Sequence, residues 1–169
     1  RGIEYELNDN CLRVRGRLLA GEYALPGDVS SQFFSGLLLA LPLLDGESRL
    51  RAESPIQSRP YIDMTLDSMK RNGVSVTQGE NEFIIPSQHY ASCGCTVESD
   101  WSHAALWLSA RELGNDISIH GMNENSVQGD RIFMEYLHAL RGGGDAALDV
   151  SQCPDIVPPL ALAAALYPA

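Results

Sequence analysis

The chain has 169 residues, of which 44% are hydrophobic and 20% are charged, a composition that is ordinary for one globular domain or parts of two. Its formal net charge of −10 is the opposite of the basic surface that nucleic acids require, so we predict no nucleic-acid partner. The longest apolar stretch, residues 33–44, is too short to span a bilayer, so we predict no membrane segment.

The two chain ends and the cysteines predict the setting of the protein. The chain opens without a hydrophobic signal segment and contains four cysteines, which predicts reduced thiols and a cytoplasmic location. It has no initiator Met, and it stops inside a predicted helix, "PPLALAAALYPA". We therefore expect the chain to be an excerpt from a longer protein.

The first half of the chain predicts two helices among short strands. Polar residues precede both helices, and Gly73 follows the second, as expected for a helix end. In chain order we predict a helix over 33–44, a strand over 48–53, a helix over 58–73, and strands over 74–77 and 82–86.

The second half predicts the same kinds of element in the same order. Its strands are inferred from short β-rich or alternating runs, and its helices from caps and apolar stripes. In chain order we predict a strand over 95–99, a helix led by Ser99-Asp100-Trp101, a strand over 116–121, a helix led by Ser126, a strand over 146–150 and a third helix start at Pro154-Asp155.

These two halves predict an internal repeat. Ser58 and Ser126 lie 68 residues apart, and Ser31 and Asp100 lie 69 apart. A period of this size, with helices and strands in matching order, predicts a βαβαββ-like unit that is used more than once. The predicted fold class is therefore mixed α/β.

The polar residues before the helices allow two interpretations. Hydroxyls and carboxylates cap helices by accepting bonds from free N–H groups, and capping is favoured for Ser99-Asp100. One cap would suffice for the first helix, whereas Ser30, Ser31 and Gln32 are three polar residues in a row. A helix N-terminus attracts anions, so an oxyanion ligand would explain the excess. Asp155 stays open between a cap and a group that positions or deprotonates a hydroxyl.

Other possible functional groups are interpreted as structural. Cys93 and Cys95 follow His89 and could form half of a metal site, but no second pair of ligands is visible. We favour small buried thiols on a strand and predict no metal. His103, on the Trp101 helix, is interpreted as a packed or partly exposed residue rather than a catalytic one.

Five stretches together resemble one family in order and spacing. They are "LPGDVSSQFFSGLLLALPLL", "SRPYIDMTLDSMKRNGV", "VESDWSHAALWL", "NSVQGDRIFMEYLHAL" and "CPDIVPPLALAAAL". They resemble the middle of EPSP synthase (3-phosphoshikimate 1-carboxyvinyltransferase). The resemblance implies two lobes built from βαβαββ units, with both lobes incomplete here. It places residues 1–96, a unit with its preceding strands, in the first lobe, and residues 97–169, one unit and the start of the next, in the second.

The resemblance also implies roles for single residues. The hydroxyls that hold the phosphate of shikimate-3-phosphate would be those of Ser30, Ser31 and Ser58. Gln32 would contact both the shikimate region and the phosphoenolpyruvate side, and Tyr61 would pack near the shikimate moiety. Asp155 would bind the ring hydroxyls and handle the proton of the attacking 5-hydroxyl. Gln32 and Asp155 are therefore the expected catalytic residues.

The implied reaction transfers the enolpyruvyl group of phosphoenolpyruvate to shikimate-3-phosphate and needs no metal or organic cofactor. The basic residues for phosphoenolpyruvate would lie mostly outside this chain, so we expect the isolated chain to have no turnover. Its partners would be the remaining units of the enzyme, or copies of itself. Two alternatives stay open: a non-catalytic module that binds a phosphorylated polyol, and the sister enzyme that acts on UDP-N-acetylglucosamine. The polar triplet at 30–32 and the segment 58–61 suit a small phosphorylated ring better than a nucleotide sugar.

Overall fold

The computed structural model describes residues 2–167 and divides the chain into two compact units. Unit 1 comprises residues 1–56 and 65–93, and unit 2 comprises residues 57–64 and 94–169. Each unit has buried residues of its own, such as Phe34, Leu38 and Leu50 in unit 1 and Ala105, Phe133 and Ile156 in unit 2.

Unit 1 contains a four-stranded mixed sheet. Its strands are β3 (Glu22–Leu25), β4 (Ser48–Ala52), β5 (Thr77–Gln78) and β6 (Glu82–Ile85), in the order β3-β4-β6-β5. β3 and β4 are parallel, and the other two pairs are antiparallel. Along β4 the side chains alternate between buried and exposed, so one face of the sheet lies on the core.

Two helices connect these strands. α1 (Ser31–Ala40) continues into a 3₁₀ turn, Leu41–Leu43, and connects β3 to β4. α2 (Arg59–Arg71) begins in the segment 57–64 and leads to β5, with Gly73 at φ +80° after its last turn. The order β3-α1-β4-α2-β5-β6 confirms the predicted βαβαββ unit in this part of the chain.

A two-stranded hairpin precedes this sheet. β1 (Ile3–Asn8) and β2 (Cys11–Gly16) pair antiparallel, and every residue in them is exposed. The register gives the hairpin two different faces, because side chains alternate along each strand. One face is apolar and the other is charged: Ile3, Tyr5, Leu7, Leu12 and Val14 against Glu4, Glu6, Arg13 and Arg15.

Unit 2 is helical. Its helices are α3 (Trp101–Glu112), α4 (Phe133–Arg141) and α5 (Val157–Ala164), with 3₁₀ turns at Gly129–Ile132 and Pro154–Ile156. The helices led by Ser99-Asp100 and by Ser126, and the third start at Pro154-Asp155, are therefore confirmed. Nine buried residues form the core: Ala104, Ala105, Leu108, Phe133, Leu137, Cys153, Ile156, Leu160 and Ala163.

Several predicted strands are wrong, and without them the described residues 94–167 do not form a second βαβαββ unit. Residues 95–99, 116–121 and 146–150 form no strand, and of the run 74–77 only Thr77 belongs to one. Ile119, Leu148 and Val150 pack against the helical core without ladder hydrogen bonds, so their alternation reflects one-sided packing rather than strand pairing. The predicted buried thiols on a strand are also wrong: Cys95 is exposed, and neither Cys93 nor Cys95 lies in a strand.

Over residues 2–167, no helix combines the length and the apolar character needed to cross a membrane.

Candidate functional site

The first polar residue of the triplet caps α1. Ser30 has an extended backbone at φ −165°, and its Oγ accepts a hydrogen bond from the Gln32 N–H at 3.2 Å. The Ser30 carbonyl also accepts from the Phe33 N–H at 3.3 Å. One serine therefore satisfies the capping requirement of this helix, as expected for an N-cap residue.

The second serine is not used for capping. Ser31 is only 7% exposed, and its hydroxyl makes no hydrogen bond to any residue that the structure describes. No fully buried side-chain polar atom within 2–167 lacks a partner, so the Ser31 hydroxyl must reach the surface of unit 1. A free hydroxyl in the first turn, beside the partial positive charge of a helix N-terminus, suits an anionic ligand.

Gln32 points away from the core of unit 1. It is exposed and lines a shallow groove of about 400 Å³ along α1, together with Leu25, Phe33, Gly36 and Leu37. The groove places its amide beside apolar surface, where a bound ligand can be held by one directional polar contact.

The loop that leads into α1 is tied to the end of the neighbouring parallel strand. The Ser54 Oγ accepts from the Gly27 N–H at 2.8 Å and donates to Asp28 Oδ1 at 2.7 Å. This bond from Ser54 lowers the pKa of Asp28. Gly27 is required here, because a Cβ at this position would lie 2.3 Å from the Ser54 carbonyl oxygen. Sequence analysis did not identify Ser54 or Asp28, because their contact depends on the pairing of β3 with β4 and β3 was not predicted.

Ser58 in unit 2 has a strained backbone. Its φ of +55° is the only positive value for a non-glycine residue in the described part of the chain. Residues that carry a Cβ are disfavoured in this backbone region, at a cost on the order of 1–3 kcal/mol. Such strain concentrates at functional sites. The Ser58 hydroxyl makes no hydrogen bond within residues 2–167.

Tyr61 follows in the first turn of α2 and lies near two acids of unit 2. Its hydroxyl donates to Asp130 Oδ1 at 3.1 Å. Burial, followed by the charges of Asp130 and Asp155, raises the pKa of Tyr61 far above its ordinary value, although a backbone hydrogen bond of Asp155 opposes the shift. Tyr61 therefore stays protonated and can act only as a hydrogen-bond donor or a packing surface.

Asp155 does not cap a helix. It lies in the 3₁₀ turn before α5, and neither that turn nor α5 has a side-chain cap. Its carboxylate is exposed and accepts no hydrogen bond from the residues that the structure describes. The capping interpretation of Asp155 is therefore wrong, and the carboxylate is available to a ligand.

Asp130 and Cys153 complete this part of unit 2, and sequence analysis did not identify either as a site residue. Asp130 is 3% exposed, and burial raises its pKa against the opposing hydrogen bond from Tyr61. Burial, with the charges of Asp130 and Asp155, raises the pKa of Cys153 to about 11, so the thiol is protonated at neutral pH. No sequence signal marks either residue, because only the fold shows that Asp130 and Cys153 are buried.

Asp100 is a helix cap, as predicted. Its Oδ1 accepts from the Ser102 N–H at 2.8 Å, the His103 N–H at 3.3 Å and the Ser102 hydroxyl at 2.7 Å. Burial alone would raise the pKa of Asp100, but these hydrogen bonds lower it. His103 itself is exposed.

The predicted site residues thus fall into two groups. Ser30, Ser31 and Gln32 share the N-terminus of α1 in unit 1. Ser58, Tyr61 and Asp155 belong to unit 2, where Tyr61 and Asp155 interact directly. Within 2–167 no three His, Cys, Asp or Glu side chains are placed to hold a metal ion.

Comparison with known proteins places the sequence in a family. The sequence model of EPSP synthase (3-phosphoshikimate 1-carboxyvinyltransferase) matches residues 2–157. A Clostridium kluyveri protein named 3-phosphoshikimate 1-carboxyvinyltransferase is 39% identical over an alignment of 175 positions, which covers 92% of this chain and 40% of that protein. Proteins of the same name from Clostridium acetobutylicum and Brachyspira hyodysenteriae are each 38% identical, over 92% and 80% of this chain.

The match extends along nearly the whole chain, although the chain spans only 40% of the length of the Clostridium relatives and 33% of the Brachyspira one. The βαβαββ order in unit 1 and the serine-led helices agree with the resemblance seen in the sequence. The chain belongs to the EPSP synthase family.

Proposed function

We propose that this chain is the central part of an enolpyruvyl transferase that acts on shikimate-3-phosphate and phosphoenolpyruvate. The proposal depends on the hydrogen bonding of two serine hydroxyls. The hydroxyls of Ser31 and Ser58 are bonded to no described residue, one in a nearly buried side chain and the other on a strained backbone. The names of the relatives supply the substrates and the reaction.

The serines bind the phosphate of shikimate-3-phosphate in this proposal. Ser30 caps α1 and thereby keeps its first turn in place, while Ser31 is left to donate to a phosphate oxygen. α1 has no acidic residue in its first turn, so no carboxylate within that turn opposes its attraction for an anion. Ser58 provides a second hydroxyl of the same kind in unit 2.

Asp155 and Gln32 act on the reacting groups. The 5-hydroxyl oxygen forms a bond to C2 of phosphoenolpyruvate while C3 takes up a proton; loss of that C3 proton and of phosphate then restores the double bond. Asp155 binds the ring hydroxyls and accepts the 5-hydroxyl proton, a role that suits an exposed carboxylate outside any cap. Gln32 orients the substrates through its amide, and Tyr61 packs beside the shikimate ring as a protonated phenol.

The rest of the enzyme supplies what this chain does not. Two polyanionic substrates require positive charge, whereas this chain carries 22 acidic and 12 basic residues. We therefore assign the cations for phosphoenolpyruvate to the remainder of a longer protein, which works in the cytoplasm without a metal or organic cofactor. The lobe boundary lies near residue 97, close to the end of unit 1 at residue 93.

The exposed apolar surfaces are covered by that remainder. The apolar face of the β1–β2 hairpin contains Tyr5, Leu7 and Leu12, which are between 61% and 76% exposed. A two-stranded hairpin with no packed face is marginally stable in water. The isolated chain therefore self-associates, and it has no turnover because the cations for phosphoenolpyruvate are missing.

The test measures phosphate release by the full-length protein when both substrates are present. Ser31→Ala and Ser58→Ala are each expected to raise the KM for shikimate-3-phosphate about tenfold or more, because a hydrogen bond to a charged group contributes roughly 1.5–3 kcal/mol. Ser87→Ala and Ser118→Ala are matched controls, since both serines are exposed and outside the site. Absence of phosphate release by the wild-type protein would refute the proposed function.

A further inference from the structure

The turn formed by residues 58–61 is held in place by side chains from distant parts of unit 2. Ser58 occupies the left-handed region at φ +55°. A strained backbone of this kind persists only when the surrounding structure leaves it no alternative. We therefore expect the contacts that fix this turn to serve a function.

The first contact fixes the turn at the backbone. The Arg59 N–H, which directly follows Ser58, donates to Gln152 Oε1 at 3.0 Å. This N–H belongs to the first turn of α2, where the helix itself offers no acceptor. The Gln152 side chain thus takes the place of a helix cap, from a position 93 residues further along the chain.

The second contact fixes the turn by shape. A Cβ at Gly129 would lie 2.5 Å from the Pro60 Cβ and 2.9 Å from the Cys153 Sγ. Only glycine allows the chain to approach Pro60 this closely, and the proline ring is itself rigid. Residue 129 and residues 59–60 therefore cannot move independently.

The third contact fixes the turn at the Tyr61 hydroxyl. Asp130, next to Gly129, accepts its hydrogen bond at 3.1 Å. A carboxylate that is 3% exposed and has two acids among its neighbours is unfavourable to bury, so its place next to Tyr61 needs a reason beyond filling space. Holding Tyr61 provides one.

We propose that Asp130 and Gln152 are positioning residues, which with Gly129 form a clamp that keeps the 58–61 turn ready for the phosphorylated substrate. The clamp touches no substrate; it acts through Ser58 and Tyr61. This inference rests on the proposed function for its link to substrate, whereas the clamp itself is a property of the fold. The phosphate of shikimate-3-phosphate does not react, so binding it equally in ground and transition states changes KM rather than kcat.

The first experiment measures the kinetics of the full-length protein. Asp130→Ala and Gln152→Ala are each expected to raise the KM for shikimate-3-phosphate about tenfold, with kcat and the KM for phosphoenolpyruvate within about twofold of wild type. Asp130→Asn keeps an acceptor oxygen for the Tyr61 hydroxyl and should restore the wild-type KM. Asp116→Ala, which removes an exposed acid of unit 2, is the control. Equal effects on both substrates, or no rescue by asparagine, would overturn the positioning role.

The second experiment measures thermal unfolding and needs no substrate. Ser58→Gly removes the left-handed strain, so it should raise the Tm relative to Ser118→Gly, a glycine substitution at an exposed position without positive φ. In the Asp130→Ala/Gln152→Ala background the turn can relax, and the same substitution should give no such gain. Additive shifts in the two backgrounds would contradict the clamp.

The two experiments separate the two claims. If the wild-type protein does not convert the substrates, the proposed function fails, and the unfolding cycle still decides whether the clamp exists. If the protein is active and the unfolding shifts are non-additive while the KM for shikimate-3-phosphate stays at the wild-type value, the clamp is real and its link to substrate is refuted.

Discussion

Ser58 and Ser126 lie 68 residues apart and each precedes a helix, yet their hydroxyls are used differently. Ser126 is 8% exposed; its Oγ donates to Glu98 Oε1 at 2.8 Å and accepts from the Gln128 N–H at 3.1 Å. Ser58 is partly exposed, lies on a strained backbone, and its hydroxyl is bonded to no residue within 2–167. The repeat therefore conveys where a helix starts, and the contacts around each serine decide whether its hydroxyl is available.

The starts of α1 and α3 differ in the same way. Asp100 caps α3 and places a full negative charge at its N-terminus. Ser30 caps α1 with a neutral hydroxyl, so the Ser31 hydroxyl is not used for capping. An anion is attracted to the first turn of α1 and repelled by the carboxylate at the start of α3, so the electrostatics favour α1 for the proposed phosphate site.

The largest expected effect concerns Asp155, which, unlike Asp100, caps no helix. Asp155→Ala in the full-length protein should lower kcat about a hundredfold, or about 3 kcal/mol in barrier, and leave the Tm near wild type. The reason is that Asp155 caps no helix and faces solvent. Gln32→Ala should behave the same way. Steady-state kinetics and thermal unfolding of the same samples check this; activity that falls only in step with stability would show that both residues are structural.

The next effect concerns Ser126. Ser126→Ala should destabilise the full-length protein by about 2 kcal/mol, because the buried Gln128 N–H loses its acceptor and Glu98 Oε1 loses the Ser126 donor. The KM for shikimate-3-phosphate should not change. Ser58→Ala is the matched substitution and should give the reverse pattern. A KM effect for Ser126→Ala, measured under conditions where the protein is folded, would contradict the assignment of the two serines.

The helices of both repeats could be predicted because their signals are local. Ser30, Pro60 and Asp100 lie at the helix starts where capping rules place them, and Gly73 follows the end of α2. Strands β4 and β6 of unit 1 were predicted from local alternating or β-rich runs, whereas β3 was not predicted and only Thr77 of the run 74–77 lies in β5.

The rest depended on contacts between distant residues. The alternation at 116–121 indicated a strand, but Ile119 packs on helices without a neighbouring strand. Serine rarely adopts a positive φ, so no rule predicts the backbone of Ser58, which is held next to a contact with Gln152. Asp130 looked like a solvated acid, and only the fold shows that it is buried against Tyr61.

An ion pair of unit 2 makes its stability depend on pH. The Glu112 side chain is 5% exposed and is bound by Arg141 and by the Tyr167 hydroxyl. The hydrogen bond from Arg141 is the main cause that lowers the pKa of Glu112 below its ordinary value of 4.5. A carboxyl whose folded pKa is lowered stabilises the fold above its unfolded pKa, and this contribution is lost as the pH falls through the folded value.

Glu112→Gln should therefore lower the free energy of unfolding by about 1–2 kcal/mol at pH 7, and the difference from wild type should disappear in acid. Urea unfolding of both full-length proteins at several pH values between about 3 and 7 measures this. Glu135→Gln, on the exposed side of α4, is the control and should show little difference at any pH. A constant difference for Glu112→Gln across the range would mean that its packing, not its charge, matters.

The smallest expected effect returns to the two helix starts. Asp100→Ala should destabilise the protein by about 1 kcal/mol, because the Ser102 and His103 N–H groups lose their acceptor. Asp100→Ser gives α3 the neutral cap of α1 and should recover most of that loss, whereas kcat stays at the wild-type value in both variants. Thermal unfolding and parallel activity assays of both variants measure the change in stability and in kcat. A fall in kcat that serine does not restore would mean that the Asp100 carboxylate takes part in the reaction, and the contrast between a capping acid and a catalytic acid in unit 2 would no longer hold.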